Sequence, residues 1–287
     1  MIYRLCNLVF RTAALLPAPL AIMTGRCCGW CLHRLFRFRL DVVKSNIDHA
    51  FPEWDEGSRR ALVNDVYRHF GLLLPELFRL PVLSSGKLLK QVSVEGKEHI
   101  EDALEKQHGV LVLAAHAGNW ELGLAAGGET FPDVRAVTKE IKRPLGQYVA
   151  DRMREPHNVK QIPRRNSIKD LIRALRQNAI VGIVLDQKMA SSEGVFVDFF
   201  GRPACTMPAL AVLASKTHAP VVPVSFFRDP DHWHHHVVFH PALAWEDTGQ
   251  GAAENVRHNT QRYTACLEEI IRQHPAQWLW MHRRWRV

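Results

Sequence analysis

His116 and Glu121 are the first residues in this 287-residue chain whose types and spacing could do chemistry together, in the run His116-Ala-Gly-Asn-Trp-Glu121. Ahead of them, residues 110–115 (VLVLAA) are apolar at every position, the pattern of a strand buried on both faces. Behind them an apolar helix begins, with Glu121 in its first turn, where a carboxylate is electrostatically favoured. On one continuous helix, residues five apart would point about 140° away from each other. With His116 on a turn and Glu121 on the helix, the carboxylate can fold back onto the imidazole, and Gly118 lets the chain turn tightly. A carboxylate on one ring nitrogen fixes the tautomer and stabilises the imidazolium, leaving the other nitrogen to take a proton. The position also fits a site, because ligands of α/β sheets gather beyond the carboxyl ends of strands. Taken alone, the pair has a plainer reading: a histidine after a strand is commonly structural, and a glutamate in a first turn is a good helix start.

Other chemistries find less support. The six cysteines are Cys6, Cys27, Cys28, Cys31, Cys205 and Cys266. Four fall in the N-terminal segment and two lie far apart, which gives no disulfide framework and points to a reducing compartment. Cys28-x-x-Cys31 has no second pair to complete a metal site and reads as small packing residues in a helix. The run Asp231-His-Trp-His-His-His236 would put His232, His234 and His236 on one face of a strand. No carboxylate or cysteine at ligand spacing joins them, and a solvated loop entering a strand is the better reading. Nucleotide-binding glycine loops and a G-x-S-x-G nucleophile elbow are both missing from the sequence. The chemistry read here calls for no metal and no cofactor.

The elements that must position the pair follow from patterning. Residues 26–80 read as helices, with Pro52 and Pro75 breaking or ending segments. From about residue 90, short strands alternate with helices. The strands are 91–95, 110–115, 134–138, 180–185, 195–199, 221–226 and 236–239; the helices are 97–106, 145–154, 167–177, 208–216 and 254–273. Such alternation predicts an α/β fold, a mixed, largely parallel sheet flanked by helices.

The charge is uneven. Residues 1–40 hold six arginines and no acid, and supply six of the eight net positive charges. The rest is nearly balanced, which argues against a nucleic-acid binder; a basic, apolar N-terminus suits an anionic membrane surface. Residues 5–24 are apolar except for Arg11, but the longest uncharged run, 12–25, has only 14 residues. An arginine at mid-membrane costs roughly 2.5–3.5 kcal/mol on insertion scales. The segment is therefore either a weak single span or an embedded hairpin or interfacial helix. The arginines after it would stay on the cytoplasmic side. The organisation read from this is a membrane anchor over 1–40 and one catalytic domain over 41–287, facing the cytoplasm at the inner membrane. Arg164-Arg165 and the closing His282-Arg-Arg-Trp-Arg286 are basic patches suited to an acidic protein or anionic lipid.

Six blocks in order resemble one family. His116-Ala-Gly-Asn-Trp-Glu121 looks like the His-x4-acid motif of glycerolipid acyltransferases, in the form found in lipid A biosynthesis (lauroyl/myristoyl) acyltransferases. Val137-Thr-Lys139 with Arg143-Pro-Leu and Arg154 resembles a segment carrying two basic residues about 15 apart. Val181-Gly-Ile-Val-Leu-Asp186-Gln187 resembles a strand ending in Asp. Gly194-Val-Phe-Val-Asp-Phe-Phe-Gly201-Arg-Pro-Ala-Cys-Thr206, Ala219-Pro-Val-Val-Pro223 and Pro275-x-Gln-Trp-Leu-Trp-Met-His282-Arg-Arg-Trp285 complete the set.

The resemblance implies acyl transfer from an acyl carrier protein thioester to a hydroxyl of a lipid A precursor or related membrane glycolipid. His116 would be the general base and Glu121 its orienting acid, with no acyl-enzyme. It implies phosphate binding by Lys139, often Arg in the family, and by Arg154; Arg164, from its basic patch, is read as a further substrate-binding cation. Asp186 would position the acceptor or support the site, its plainer role being a turn cap. Lys188 stands where the nearest pattern has a second acid. Another lysophospholipid or glycolipid acceptor, or a non-catalytic membrane-bound interaction protein on the same fold, are the alternatives.

Overall fold

A computed structural model describes residues 2–139, 141–164, 167–230 and 233–285. Asp231, His232, Arg165 and Arg286 of the runs noted above lie outside the described residues. Five helices lead: α1 (Ile2–Leu15), α2 (Ala18–Trp30), α3 (Leu40–Ala50), α4 (Glu56–Arg79) and α5 (Ser85–Leu89). Then follow β1 (Val92–Glu95), α6 (Lys97–Glu105), β2 (Val110–Ala114), α7 (Trp120–Thr130), β3 (Val134–Thr138) and α8 (Pro144–Arg154). The remainder comprises β4 (Lys160–Pro163), α9 (Ile168–Arg176), β5 (Ile180–Val184), β6 (Val195–Phe199), β7 (Arg202–Thr206), α10 (Ala209–Thr217), β8 (Val221–Arg228), β9 (His235–Phe239) and α11 (Ala252–Gln273).

Seven strands form one sheet in the order β1-β9-β8-β2-β5-β3-β4. Every neighbouring pair is parallel except β8 with β9. The mixed, largely parallel sheet predicted from patterning is therefore the one observed. β2 is central, and all five of its residues are buried. That burial explains its unbroken apolar run, since helices cover both faces of the sheet. Two buried apolar clusters lie on the two faces. One joins α3, α4, α9, α10 and α11 with the closing aromatics; the other joins α5, α6 and α7.

Three elements depart from the sequence expectation. β4 was not foreseen; it is a polar edge strand in which only Ile162 is buried, so its sequence carries almost no apolar signal. β7 was also not foreseen; it pairs antiparallel with β6 as a separate hairpin whose turn residues, Phe200 and Gly201, both have positive φ. That is the backbone a two-residue hairpin turn needs, and Pro203 hides the strand from patterning. Pro75 does not end α4, which runs on to Arg79. Here tertiary packing on both sides of Pro75 outweighs the lost backbone bond.

The N-terminal segment is packed against the body. α2 crosses α4 at glycines: a Cβ on Gly71 would lie 2.2 Å from the Gly25 carbonyl oxygen, and one on Gly29 2.4 Å from that of Tyr67. Phe10 of α1 is buried and its ring lies 6.2 Å from that of Phe78. No single helix among the described residues is long and apolar enough to cross a membrane. The pair Ile2–Leu15 and Ala18–Leu35 passes that test only together, bent by 118°.

Candidate active site

β2 and β5 are neighbours in register, with Ala114 beside Val184. The second residue past each strand is then His116 on one and Asp186 on the other. These two meet. The His116 Nδ1–H donates to Asp186 Oδ1 at 2.8 Å, and the His116 backbone N–H donates to Oδ2 at 2.9 Å. Trp278 Nε1–H donates to the same Oδ2 at 2.7 Å. Burial alone would push the Asp186 carboxyl up, but the imidazole charge and these donors hold it down at about 2. For His116 burial works downward, yet the Asp186 charge and hydrogen bond outweigh it and raise the imidazole above its ordinary value. With Nδ1 engaged as donor, Nε2 keeps its lone pair.

Glu121 does not touch the ring. It forms a two-pronged ion pair with Arg154 of α8, at 2.5 Å and 2.9 Å. Its charge still reaches His116 and helps raise the imidazole. The expected brace between Glu121 and His116 is thus replaced by Asp186. The reason is geometric: the helix holding Glu121 starts at Trp120 and carries the carboxylate toward α8, whereas Asp186 sits on the adjacent strand end. The same pairing engages Arg154, which also donates to Gln161 Oε1 at 3.0 Å. Of the two cations assigned to phosphate, only Lys139 faces the cleft that His116 opens into. Arg164 joins it there, with Lys188, Gln187 and the apolar Ile183, Met189 and Met207. The Gln187 amide nitrogen lies 3.3 Å from His116 Nε2 and 3.4 Å from Nδ1, near-equal distances that put it over the ring face.

The turn between β2 and α7 is held from four directions. Leu279 N–H donates to His116 O at 3.0 Å, and Gly118 N–H to Gln277 O at 3.0 Å. His69 Nε2 lies 3.2 Å from the Gly118 carbonyl, its N–H donating. Gly118 has φ 56°, and a Cβ there would meet the Phe226 carbonyl oxygen at 2.4 Å, so no other residue fits. Asn119 Oδ1 caps α7 by accepting from Leu122 N–H at 3.1 Å, while its Nδ2 donates to Glu76 Oε2 at 2.7 Å. Arg228 Nη2 donates to that same oxygen at 2.7 Å, and His235 lies 3.3 Å from Oε1. Glu76 is largely buried; burial pushes its carboxyl up, but Arg228 and His235 win and keep it charged.

The closing block is not wholly a docking patch. Arg284 is 1 % exposed and donates to Cys205 O at 2.8 Å and to Thr206 Oγ1 at 2.5 Å, clamping the chain beside Asp186. Burial lowers its guanidinium to about 10. Trp285 donates to Phe199 O at 3.0 Å and stacks in an aromatic cluster with Phe199; among the described residues of this group only Arg283 is exposed. Sequence reasoning missed Trp278, Gln187, Arg284 and Glu76. Trp278 and Arg284 stood in the closing Gln-Trp-Leu-Trp-Met-His-Arg-Arg-Trp block, a signal of importance without one of position. For Glu76 there was no signal. In the His234–His236 stretch, His236 is held between Glu95 at 3.1 Å and Asp229 at 3.0 Å. Among the described residues no group of three His, Cys, Asp or Glu side chains is placed to hold a metal.

A histidine with a buried carboxylate behind it, opening on an apolar and cationic cleft, fits acyl transfer, and the comparisons with known proteins agree. The model of the bacterial lipid A biosynthesis acyltransferase family matches residues 1–287. This chain belongs to that family. It is an acyl-transferring enzyme of the α/β kind. It is 25% identical over 273 residues to the lipid A biosynthesis lauroyltransferase of Escherichia coli K12, covering 95% of this chain and 87% of that one. The palmitoleoyltransferase of the same organism is 24% identical with the same coverage. A phosphatidylinositol mannoside acyltransferase of Mycobacterium tuberculosis (strain CDC 1551 / Oshkosh) is 29% identical over 225 residues, covering 75% of this chain and 67% of that one.

Proposed function

We propose that this family member transfers a fatty acyl chain from an acyl carrier protein thioester to a hydroxyl of a lipid A precursor or closely related glycolipid. The observation that carries the reading is the His116–Asp186 pair at the wall of a cleft lined by Lys139, Arg164 and apolar side chains, with the lone pair on Nε2 and the Gln187 amide 3.3 Å from it. Nε2 takes the proton of the acceptor hydroxyl as its oxygen attacks the thioester carbonyl carbon. Asp186 stabilises the imidazolium that forms. The tetrahedral intermediate then collapses, the carbon–sulfur bond breaks, and the imidazolium returns its proton to the departing thiolate. No acyl-enzyme is needed. The Gln187 amide, beside Nε2, is in reach of the carbonyl oxygen as it gains negative charge.

Lys139 and Arg164 flank the same cleft and suit phosphate, whether on the acceptor or on the carrier's prosthetic arm. Lys139 acts as a point charge, where an arginine would offer a planar fork. Arg154, engaged with Glu121, serves to fix α8 against α7. The basic, apolar N-terminus fits attachment at the inner membrane with the cleft facing the cytoplasm. The likeness to a phosphatidylinositol mannoside acyltransferase keeps a different phosphorylated glycolipid as a second acceptor reading.

The test is direct. Purified enzyme, acyl carrier protein loaded with a fatty acyl chain, and a lipid A precursor are incubated, and the lipid is weighed by mass spectrometry. The mass should rise by one acyl group, and His116→Ala should abolish the gain while keeping the wild-type melting temperature. Undiminished transfer by His116→Ala would sink the base assignment; no gain on any phosphorylated glycolipid would sink the acceptor.

A further inference from the structure

Two sizeable hollows lie away from the catalytic pair. They adjoin each other, at about 880 and 660 Å³, and run between the chain that follows α2 and the outer face of α4, sharing His33, Arg34 and Asn64. We propose that this groove is a binding site for a phosphate-bearing lipid headgroup at the membrane surface. The inference rests on the membrane-apposed reading above and names the residues that would make that contact specific.

Charge comes first. Arg26, Arg34, Arg37 and Lys44 face the groove, and no carboxylate pairs with any of them among the described residues. The groove's two acids are already engaged: Asp48 with Arg59 at 3.3 Å and Glu56 with Arg60 at 2.5 Å. Arg34, Arg37 and Lys44 line the larger hollow and Arg26 and Arg34 the smaller; cations without carboxylate partners along two adjoining hollows favour a multiply charged anion. Arg34 and Lys44 also depress the neighbouring His33, second to burial.

The rim says which source of phosphate fits. Trp30, Leu35 and Phe36 are 61%, 65% and 69% exposed beside these cations. A large aromatic and two aliphatic or aromatic neighbours left in water next to arginines match the interface of a bilayer, where apolar rings bury and cations meet phosphates. An acidic protein would match the cations but would leave this apolar rim without an explanation. Leu5, Leu8 and Leu15 of α1 are exposed as well.

The backbone beside the groove is irregular. Cys31–Leu35 form a π-helical turn, and Arg37 and Arg39 both have positive φ, 47° and 53°. Non-glycine residues in that region carry a local cost and cluster at binding sites. The turn is tied down by Tyr67, whose hydroxyl donates to Phe38 O at 2.6 Å and whose ring stacks on His33 at 4.6 Å. Arg39 donates to Met281 O at 2.9 Å, next to His282, whose imidazole feels the charges of Asp186 and His116.

The test uses full-length protein and phosphatidylcholine vesicles doped with phosphatidic acid or with phosphatidylglycerol at matched surface charge. Arg37→Gln/Lys44→Gln should weaken binding to phosphatidic acid vesicles about thirtyfold, roughly the loss expected for two cations near a charged surface. Lys87→Gln/Lys90→Gln, which removes the same charge from exposed positions in and just after α5, should change it little. Wild type should prefer phosphatidic acid, and the groove variant should lose that preference. Equal losses in the two variants, or none, would overturn the site as generic attraction. Unchanged vesicle binding with lost binding of acyl carrier protein would overturn it in favour of a protein dock. Because binding is read without turnover, a failure of the acyl-transfer reading would leave this result standing.

Discussion

At the scale of single residues, Asp186 has the clearest consequence. It holds Nδ1 of His116 and raises that imidazole, so the base form of Nε2 predominates only above the folded pKa, which exceeds 6.5. The rate should therefore climb with pH through a midpoint above 6.5. Asp186→Asn removes the charge that raises the imidazole; the midpoint should fall and the maximal rate should drop about 10²–10⁴-fold, measured as a pH profile of kcat/KM. An unshifted midpoint would show that Asp186 is only a turn cap. Glu121 belongs to a different role. Its ion pair with Arg154 has side chains 13% and 18% exposed. Glu121→Gln should lower that pH midpoint by less than Asp186→Asn does, since its charge acts on the imidazole without touching it, and cost about 1–3 kcal/mol of stability, discounted from the figure for fully buried pairs. Urea titration of that variant beside Glu121→Gln/Arg154→Met should show partial recovery in the double change.

At the scale of elements, α4 is the beam on which the site leans. Its inner face supplies His69 and Glu76 to the turn between β2 and α7, and its outer side takes α2 at glycine contacts. Gly71→Ala puts a methyl group into the Gly25 and Gly29 backbone of α2. Overpacking of this kind typically costs about 1–3 kcal/mol. Gly86→Ala in α5 meets nothing within 4 Å and should be neutral or slightly stabilising. Thermal melts of the two variants check the contrast. Because α4 connects both contacts, the Gly71 change should also lower activity by more than its loss of folded protein explains.

At the scale of the whole molecule, pH acts through two buried groups. His69 is enclosed and lowered to about 3 by burial and then by Arg228, so it stays neutral in the folded state. Its folded pKa lies below the unfolded 6.5; the stability it supports is present above 6.5 and is lost as pH falls toward 3. Asp186, depressed to about 2, adds a second loss between about 3.8 and 2. Each such proton contributes a slope of about 1.4 kcal/mol per pH unit within its window. Denaturant unfolding between pH 7 and 4 should show stability falling with pH, and His69→Gln, which keeps a donor for the Gly118 carbonyl, should flatten that slope by about one proton. An unchanged slope would place His69 outside the acid response. His116, raised in the fold, works in the opposite sense, its contribution fading as pH climbs through its folded value.

Much was decided locally and could be read without coordinates. β2 announced itself by six apolar residues in a row, because a strand buried on both faces has no polar side to show. His116 at its end, the glycine of the turn and the helix after it followed from short-range rules. So did the alternation that makes the sheet mixed and largely parallel. What acts on His116 was beyond such rules. Asp186 lies 70 residues away in the chain and Trp278 farther still; they meet only because β5 is the neighbour of β2 in register. Strand order is set by which faces can be buried together across the whole sheet, and a sequence read along its length holds no trace of sideways neighbours. The same holds for Glu121, whose spacing suggested His116 while α8, packed alongside, presented it with Arg154. Spacing along the chain told which residues could do chemistry; tertiary packing chose their partners, because hydrogen bonds form between groups close in space.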